Sequence, residues 1–261
     1  FTLLVFFGFS ACSTHSLVKA SENIKSPLTG FFLEDDSYLP VAKEAFQIRR
    51  TPGFILGYSE PHEQAIWVVY HLTEIELQGA VRRTDDFRLD SDINSGSATL
   101  LDYRRSGFDR GHFAPAGDMK WSVSAMSHSF LLSNVSPQLG IFNRGIWLKL
   151  EKGIRHYVRN IQGSVYIVMG PLFEGAIQKL GSNGVSVPSH YWKIVFDYSV
   201  NQMTGYLLPH DENGHRLKDY VVTVDTLERT TGLDFFSSLA DPLEESLEAK
   251  LGNFTDQIPP F

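Results

Sequence analysis

The chain has 261 residues, of which 43% are hydrophobic and 20% charged, and it carries a formal net charge of −7. These values exclude a disordered polar chain, a bundle of membrane-spanning helices and a uniformly basic surface, and the length suits one large core. A single cysteine, Cys12, excludes an intrachain disulfide, so stability rests on packing.

The first segment, Phe1 to Ala11 (FTLLVFFGFSA), is apolar and uncharged but about half as long as a bilayer-spanning helix. It reads as the hydrophobic part of a secretory signal whose start lies upstream. Cys12 follows Phe9-Ser10-Ala11, which resembles a bacterial lipoprotein processing box with Phe in place of the usual aliphatic residue. Residues 1–12 are therefore either a plain signal or a lipoprotein segment with a lipid anchor at Cys12. Both readings place the protein outside the cytoplasm, as a periplasmic, membrane-anchored or secreted species. Residues 13–50 mix Ser, Lys, Pro and Asp without periodicity and read as a mobile lead-in carrying no chemistry, leaving residues 51–261 as one domain.

Gly53 to Leu72 then holds two β-rich runs, Phe54 to Tyr58 and Ala65 to Leu72, around a Ser-Glu-Pro turn, the pattern of a hairpin. A polar stretch with Arg83, Asp85, Asp86, Phe87 and Asp90 leads into the Asn94-Ser95-Gly96-Ser97 loop. Ser129 to Ser136 (SFLLSNVS) is a buried-strand candidate. From Asn143 the period changes: Ile146, Leu150, Ile154 and Tyr157/Val158 recur every three or four residues, which predicts an amphipathic helix of about four turns. Gly163 to Leu172, His190 to Tyr198 and Met203 to Pro209 read as strands, and Thr223 to Thr230 and Leu243 to Leu251 as short helices. The sum is an α+β fold with a central, mostly antiparallel sheet flanked by helices.

Charge follows the same map. Residues 101–160 carry nine Lys/Arg against four Asp/Glu, whereas residues 211–261 carry four against eleven. Screening over about 8–10 Å lets a polyanion at the middle segment feel that segment's positive sign more than the acidic tail.

The middle segment also concentrates chemistry in Asp109-Arg110-Gly111-His112, Asn134, Asn143 and Glu151. Phosphodiester hydrolysis needs a base for water, cationic stabilisation of phosphoryl oxygens and help for the departing alkoxide. His112 is a natural base, since an imidazole with an ordinary pKa near 6.5 is largely neutral at physiological pH. Asn and Glu offer hard oxygen ligands suited to Mg²⁺, and Arg110 can fork two donors onto phosphate. Asn143, Trp147, Glu151 and Arg155 are spaced by four, so on a regular helix neighbouring members drift by only about 40° and share a face. Trp147 reads as core on that face, and the central sheet is expected to present His112 opposite the helix that bears Asn143 and Glu151. Asp109, beside Arg110, reads as structural support that orients a guanidinium.

Taken together, DRGHFAPAGDM, SNVSPQ and FNRGIWLKLE resemble the DNA/RNA non-specific endonuclease family, which includes secreted bacterial nucleases and the mitochondrial endonuclease G group built on the ββα-metal motif. Similar strings flank them in order: VVYHLT at Val68 to Thr73, RTDDFRLD at Arg83 to Asp90, VYIVMGPLF at Val165 to Phe173, VPSHYWKIVF at Val187 to Phe196 and TTGLDFF at Thr230 to Phe236. The resemblance spans roughly Phe54 to Phe236. Phe108 stands where Tyr is common and Phe113 where Leu or Gln is common, and neither change removes a group the chemistry needs.

The resemblance implies that His112 is the general base and that Asn143 is the one direct protein ligand of a Mg²⁺ ion, with Mn²⁺ as a substitute. Glu151 would hold a metal-bound water able to protonate the leaving 3′ oxygen. Arg83, Arg110 and Arg155 would contact phosphate, and Asn134 would organise the catalytic group. The implied activity is hydrolysis of both DNA and RNA to 5′-phosphate ends, and relatives of this kind are often homodimers. Two rival readings are a phosphodiesterase for small substrates and a catalytically weak, surface-anchored nucleic-acid-binding protein; the complete set of His112, Asn143 and Glu151 argues against the second.

Overall fold

In the computed structural model, residues 39–42, 46–211 and 216–257 are described; the signal, Cys12 and most of the lead-in lie outside them. In chain order the elements are β1 (Gln47–Arg50), β2 (Ile55–Ser59), β3 (Gln64–Thr73), α1 (Leu100–Tyr103), β4 (Asp109–His112), α2 (Val123–His128), β5 (Val135–Gln138) and α3 (Leu148–Ile161). They continue with β6 (Ser164–Leu172), β7 (Lys179–Leu180), β8 (Val185–Ser186), β9 (His190–Asp197), β10 (Gln202–Pro209), β11 (Val221–Val222), α4 (Val224–Thr231) and α5 (Asp241–Glu248).

Seven strands form one antiparallel sheet in the order β1-β2-β3-β6-β9-β10-β11, while β4 pairs only with β5. The long central strands are apolar at nearly every position because both faces of the sheet are covered. Side chains alternate along each strand. Val68, Tyr70 and Leu72 of β3, Val165, Ile167 and Met169 of β6 and Tyr191 and Val195 of β9 therefore pack into one core with Leu150, Ile154, Tyr157 and Val158 of α3. Trp67 and Val69, Tyr166 and Val168, and Trp192, Ile194 and Phe196 face the other way, against Val224 and Leu227 of α4 and Leu247 of α5. Each fully buried side chain of this size contributes about 1.5–3 kcal/mol, which is what holds α3 on one face and α4 and α5 on the other.

The helix ends follow capping chemistry. Gln162 ends α3 in the left-handed region (φ 49°), its N–H donating to the Arg159 and Val158 carbonyls. Thr223 caps α4 by accepting from the Thr226 N–H.

The predicted hairpin, the strands after Gly163 and the two late helices are present within a few residues of their expected limits. Four expectations change. The lead-in is not featureless, since Val41 exchanges backbone hydrogen bonds with Asp234 and residues 47–50 form β1. Arg49 of that strand is ion-paired to Asp90 at 3.2 Å and Asp92 at 2.6 Å, while the Gln47 amide donates to the Asp92 carbonyl at 2.7 Å and accepts from the Asn94 N–H at 2.9 Å. The strand expected from Ser129 starts only at Val135, because Leu132–Asn134 forms a 3-10 turn. The helix expected from Asn143 is regular only from Leu148; a short turn, Gly140–Phe142, and a wide turn, Asn143–Trp147, kinked at Gly145 (φ −101°, ψ −109°), precede it. Finally, His112 is carried by the separate β4–β5 ribbon rather than by the central sheet.

Candidate active site

The β4–β5 ribbon followed by α3 makes a two-strand-plus-helix unit. Its register pairs Asp109 with Gln138, Gly111 with Ser136 and His112 with Val135. The ribbon is fixed to the sheet below by Ser136, whose hydroxyl donates to Gln64 Oε1 at 2.6 Å and meets Tyr191 Oη at 2.7 Å. Beyond His112 the chain is clamped by Asn134. Its Oδ1 accepts from the Ala114 N–H at 3.0 Å, and its Nδ2 donates to the Ala114 and Ser129 carbonyls, each at 2.9 Å. The direction of the imidazole is thus set by backbone on both sides.

The His112 ring lies between Phe87 and Phe130, with centroids 5.2 and 5.0 Å away. Its Nε2 is buried with no hydrogen-bond partner among the described residues. Burial, reinforced by the charge of Arg83, pushes its pKa from the ordinary 6.5 down to about 3, so the ring is neutral with a lone pair available. Arg83 and Arg110 sit on the same aromatic pair, their guanidinium carbons 4.7 Å from the Phe130 ring centre and 4.1 Å from that of Phe87.

Across the cavity, the wide turn presents Asn143. Asp109 Oδ2 accepts from Asn143 Nδ2 at 3.0 Å and from Arg144 Nη1 at 2.6 Å. With its NH₂ committed, the amide has its oxygen left to offer, a hard donor. Two turns on, Glu151 is buried, and Arg155 Nη2 stands 3.8 Å from its Oε2. Arg155 Nη1 donates to Asp118 Oδ1 at 2.7 Å, and Tyr70 Oη donates to Asp118 Oδ2 at 2.7 Å. From the sheet beneath, the fully buried Lys193 places Nζ 4.1 Å from the Trp147 ring centre. Burial raises the pKa of Glu151 to about 7 against the opposing charges of Lys193 and Arg155, and burial lowers that of Lys193 to about 8.

His112, Arg83, Arg110, Asn143, Glu151 and Arg155 line one cavity of about 300 Å³. Arg83, Arg110 and Asn143 also line an adjoining groove of about 630 Å³ that Arg104 and Phe87 extend. Asp109 stands behind Asn143, and Asn134 lies off the cavity wall, fully buried. Trp147 is core, 1% exposed, with Nε1 donating to the His112 carbonyl at 3.4 Å. Sequence reading singled out neither Asp118, Tyr70 nor Lys193. The signal for Lys193 was a charged residue at a core-facing position of an apolar strand, and for Asp118 its place in the DRGHFAPAGDM string.

The residues present fit a hard divalent cation on two counts: an oriented amide oxygen and a buried carboxylate on one wall, and an unpartnered imidazole nitrogen on the other. The arrangement can take up an anion between three guanidinium groups, remove a proton at His112 Nε2 and place a cation beside Asn143 and Glu151.

Comparison with known proteins places the chain among nucleases. The sequence profile of the DNA/RNA non-specific endonucleases matches residues 40–242. Mitochondrial endonuclease G of Homo sapiens is 35% identical over 210 residues, covering 74% of this chain and 70% of its own. A nuclease of Syncephalastrum racemosum is 35% identical over 213 residues, covering 72% and 66%, and the mitochondrial nuclease of Saccharomyces cerevisiae is 33% identical over 220 residues, covering 74% and 67%. Among solved structures, an EndoG/EndoGI complex describing the mechanism of EndoG inhibition superposes with a TM-score of 0.70 at 30% identity, covering 74% of this chain and 87% of that one.

Proposed function

The chain belongs to the DNA/RNA non-specific endonuclease family, and from that premise we propose that it cuts DNA and RNA with His112 as general base and one divalent cation beside Asn143. The observation that carries this reading is the shared cavity: an uncharged imidazole with an unpartnered buried Nε2 on one wall, and an amide oriented by a carboxylate on the other.

Arg83, Arg110 and Arg155 hold the scissile phosphate and orient it. Phosphate contacts carry no base information, which suits cleavage without sequence preference of both sugar types. His112 Nε2 accepts the proton of the attacking water, opposite the departing 3′ oxygen, so the phosphate stays on the 5′ end. Asn143 Oδ1 would hold Mg²⁺, or Mn²⁺ in its place, with Glu151 acting through water. The ion would supply positive charge to the crowded phosphoryl oxygens. Asn134 and Asp109 are positioning groups, the first for the backbone after His112 and the second for the Asn143 amide.

The test is digestion of supercoiled plasmid and of RNA with and without chelator, using the wild-type chain and His112→Ala. Expected are full dependence on added Mg²⁺ or Mn²⁺ and a loss of about 10²–10⁴-fold in the variant. Chelator-resistant cutting, or wild-type rates in His112→Ala, would overturn the mechanism. DNA retention in a gel shift with no cutting in Mg²⁺ would favour a binding protein instead.

A further inference from the structure

The acidic end of the sequence gathers three carboxylates on the face of the sheet opposite the nuclease cavity. Asp225 and Glu228 stand one turn apart on α4, and Glu248 ends α5. One oxygen from each lies within 4.8 Å of the others. Glu248 is only 5% exposed, and its Oε1 is buried with no hydrogen-bond partner among the described residues. None of the ion pairs among the described residues engages any of the three. Arg229, whose charge acts on Glu228, donates through Nη2 to Thr226 Oγ1 at 3.0 Å. Glu228 is itself fixed in place, with Oε1 accepting from the Phe235 N–H at 2.8 Å.

A buried carboxylate that stands beside two further carboxylates, with one of its oxygens lacking any donor, is unfavourable as an anion unless a proton or a cation sits among them. Without a cation, burial and then the charges of Glu228, Glu244 and Asp225 push the pKa of Glu248 from 4.5 to about 9, so a proton would take that place. The donor set is three hard oxygens, which disfavours soft metals. Among hard ions, Ca²⁺ takes six to eight oxygens in a flexible shell and is commonly held by several carboxylates, whereas Mg²⁺ demands near-ideal octahedral geometry and usually keeps its waters, binding only one or two carboxylates.

We propose that Asp225, Glu228 and Glu248 form a calcium site, completed by water, that ties α4 to α5 across the sheet from the nuclease cavity. The ion supplies the counter-charge that the cluster lacks and cross-links two helices whose Leu227 and Leu247 share one core. The site is structural and separate from catalysis.

Calorimetric titration of CaCl₂ into the full chain carrying Asn143→Ala, which removes the amide assigned to the catalytic cation, should show one binding event with Kd about 10⁻⁴–10⁻³ M. Calcium at about ten times that Kd should raise Tm by about 3–6 °C. Adding Glu248→Gln, or separately Asp225→Asn, should weaken calcium binding at least about tenfold and abolish the Tm rise. With Asn143 intact, both variants should cut plasmid in Mg²⁺ at wild-type rates. Asp225 is only half-buried, so its variant decides the matter even where Glu248→Gln fails to fold. No binding to the Asn143→Ala chain, or unchanged affinity in the Asp225 variant, overturns the site and leaves the carboxylates sharing protons.

Discussion

Asp109 shows how one side chain fixes the direction of another. Its Oδ2 holds both the Asn143 amide and Arg144, so truncation frees the amide to turn its NH₂ toward the cation. We expect Asp109→Ala to raise the Mg²⁺ concentration for half-maximal cutting by about 10–100-fold, with the rate recovering near the wild-type value once Mg²⁺ saturates. A loss that excess Mg²⁺ leaves untouched would instead give Asp109 a part in the chemistry. The groups that line the candidate cavity were legible in the sequence because DRGH, Asn143 and Glu151 are chemically unusual and closely spaced. Their supports were not. Asp118 links Tyr70, 48 positions earlier, to Arg155, 37 later, and a single sequence offers no local signal for pairings over such distances. Its burial makes the link expensive to break: Asp118→Ala leaves the Arg155 charge without its closest partner, and urea unfolding should register a loss of about 3–5 kcal/mol.

At the scale of elements, the ribbon depends on how closely its two strands approach. A Cβ on Gly111 would land on the side chain of Gln138, which is wholly buried on the facing strand. Gly111→Ala should therefore splay the ribbon where it carries His112. The expected result is at least about a tenfold fall in plasmid cutting, with the circular dichroism of the main sheet unchanged; wild-type activity would show that Gln138 yields without moving the histidine. Elements were read best where periodicity is set by burial. The β-rich runs survive as strands because both of their faces are covered. The wide turn over Asn143–Trp147 escaped, since Ile146 keeps the four-residue spacing to Leu150 and the hydrophobic repeat runs through the turn without a break. The same-face argument for Asn143 and Glu151 assumed 100° per residue throughout. The two still meet on one cavity wall, but through a turn that departs from the regular helix, a feature often found where function needs a re-aimed side chain.

Across the whole molecule, acid stability carries the mark of His71, on β3 and 5% exposed. Its ring centroid is 4.5 Å from that of Tyr166, and neither ring nitrogen has a hydrogen-bond partner among the described residues. Burial lowers its pKa from 6.5 to about 4. As pH falls below 6.5 the unfolded chain protonates first, so stability is complete above 6.5 and declines until about pH 4, by about 3 kcal/mol in total. His112, shifted the same way, adds to the trend. His71→Leu should narrow the difference in urea-unfolding free energy between pH 7 and 4.5 by about 2–3 kcal/mol. An unchanged difference would place the acid sensitivity elsewhere.

The outermost strand has a consequence for the protein's solubility. Pairing groups along the rim of a sheet invite a second molecule to add itself there, and on β1 the side chains of Gln47 and Arg49 hold the 90–94 loop beside that rim. That loop in turn reaches Ser133, which donates to Asp90 at 2.7 Å one position before the Asn134 clamp. Proteolytic clipping after residue 50 would thus unseal the rim of the sheet and slacken the tether behind the histidine in one event, giving a product that self-associates as it loses its cutting power.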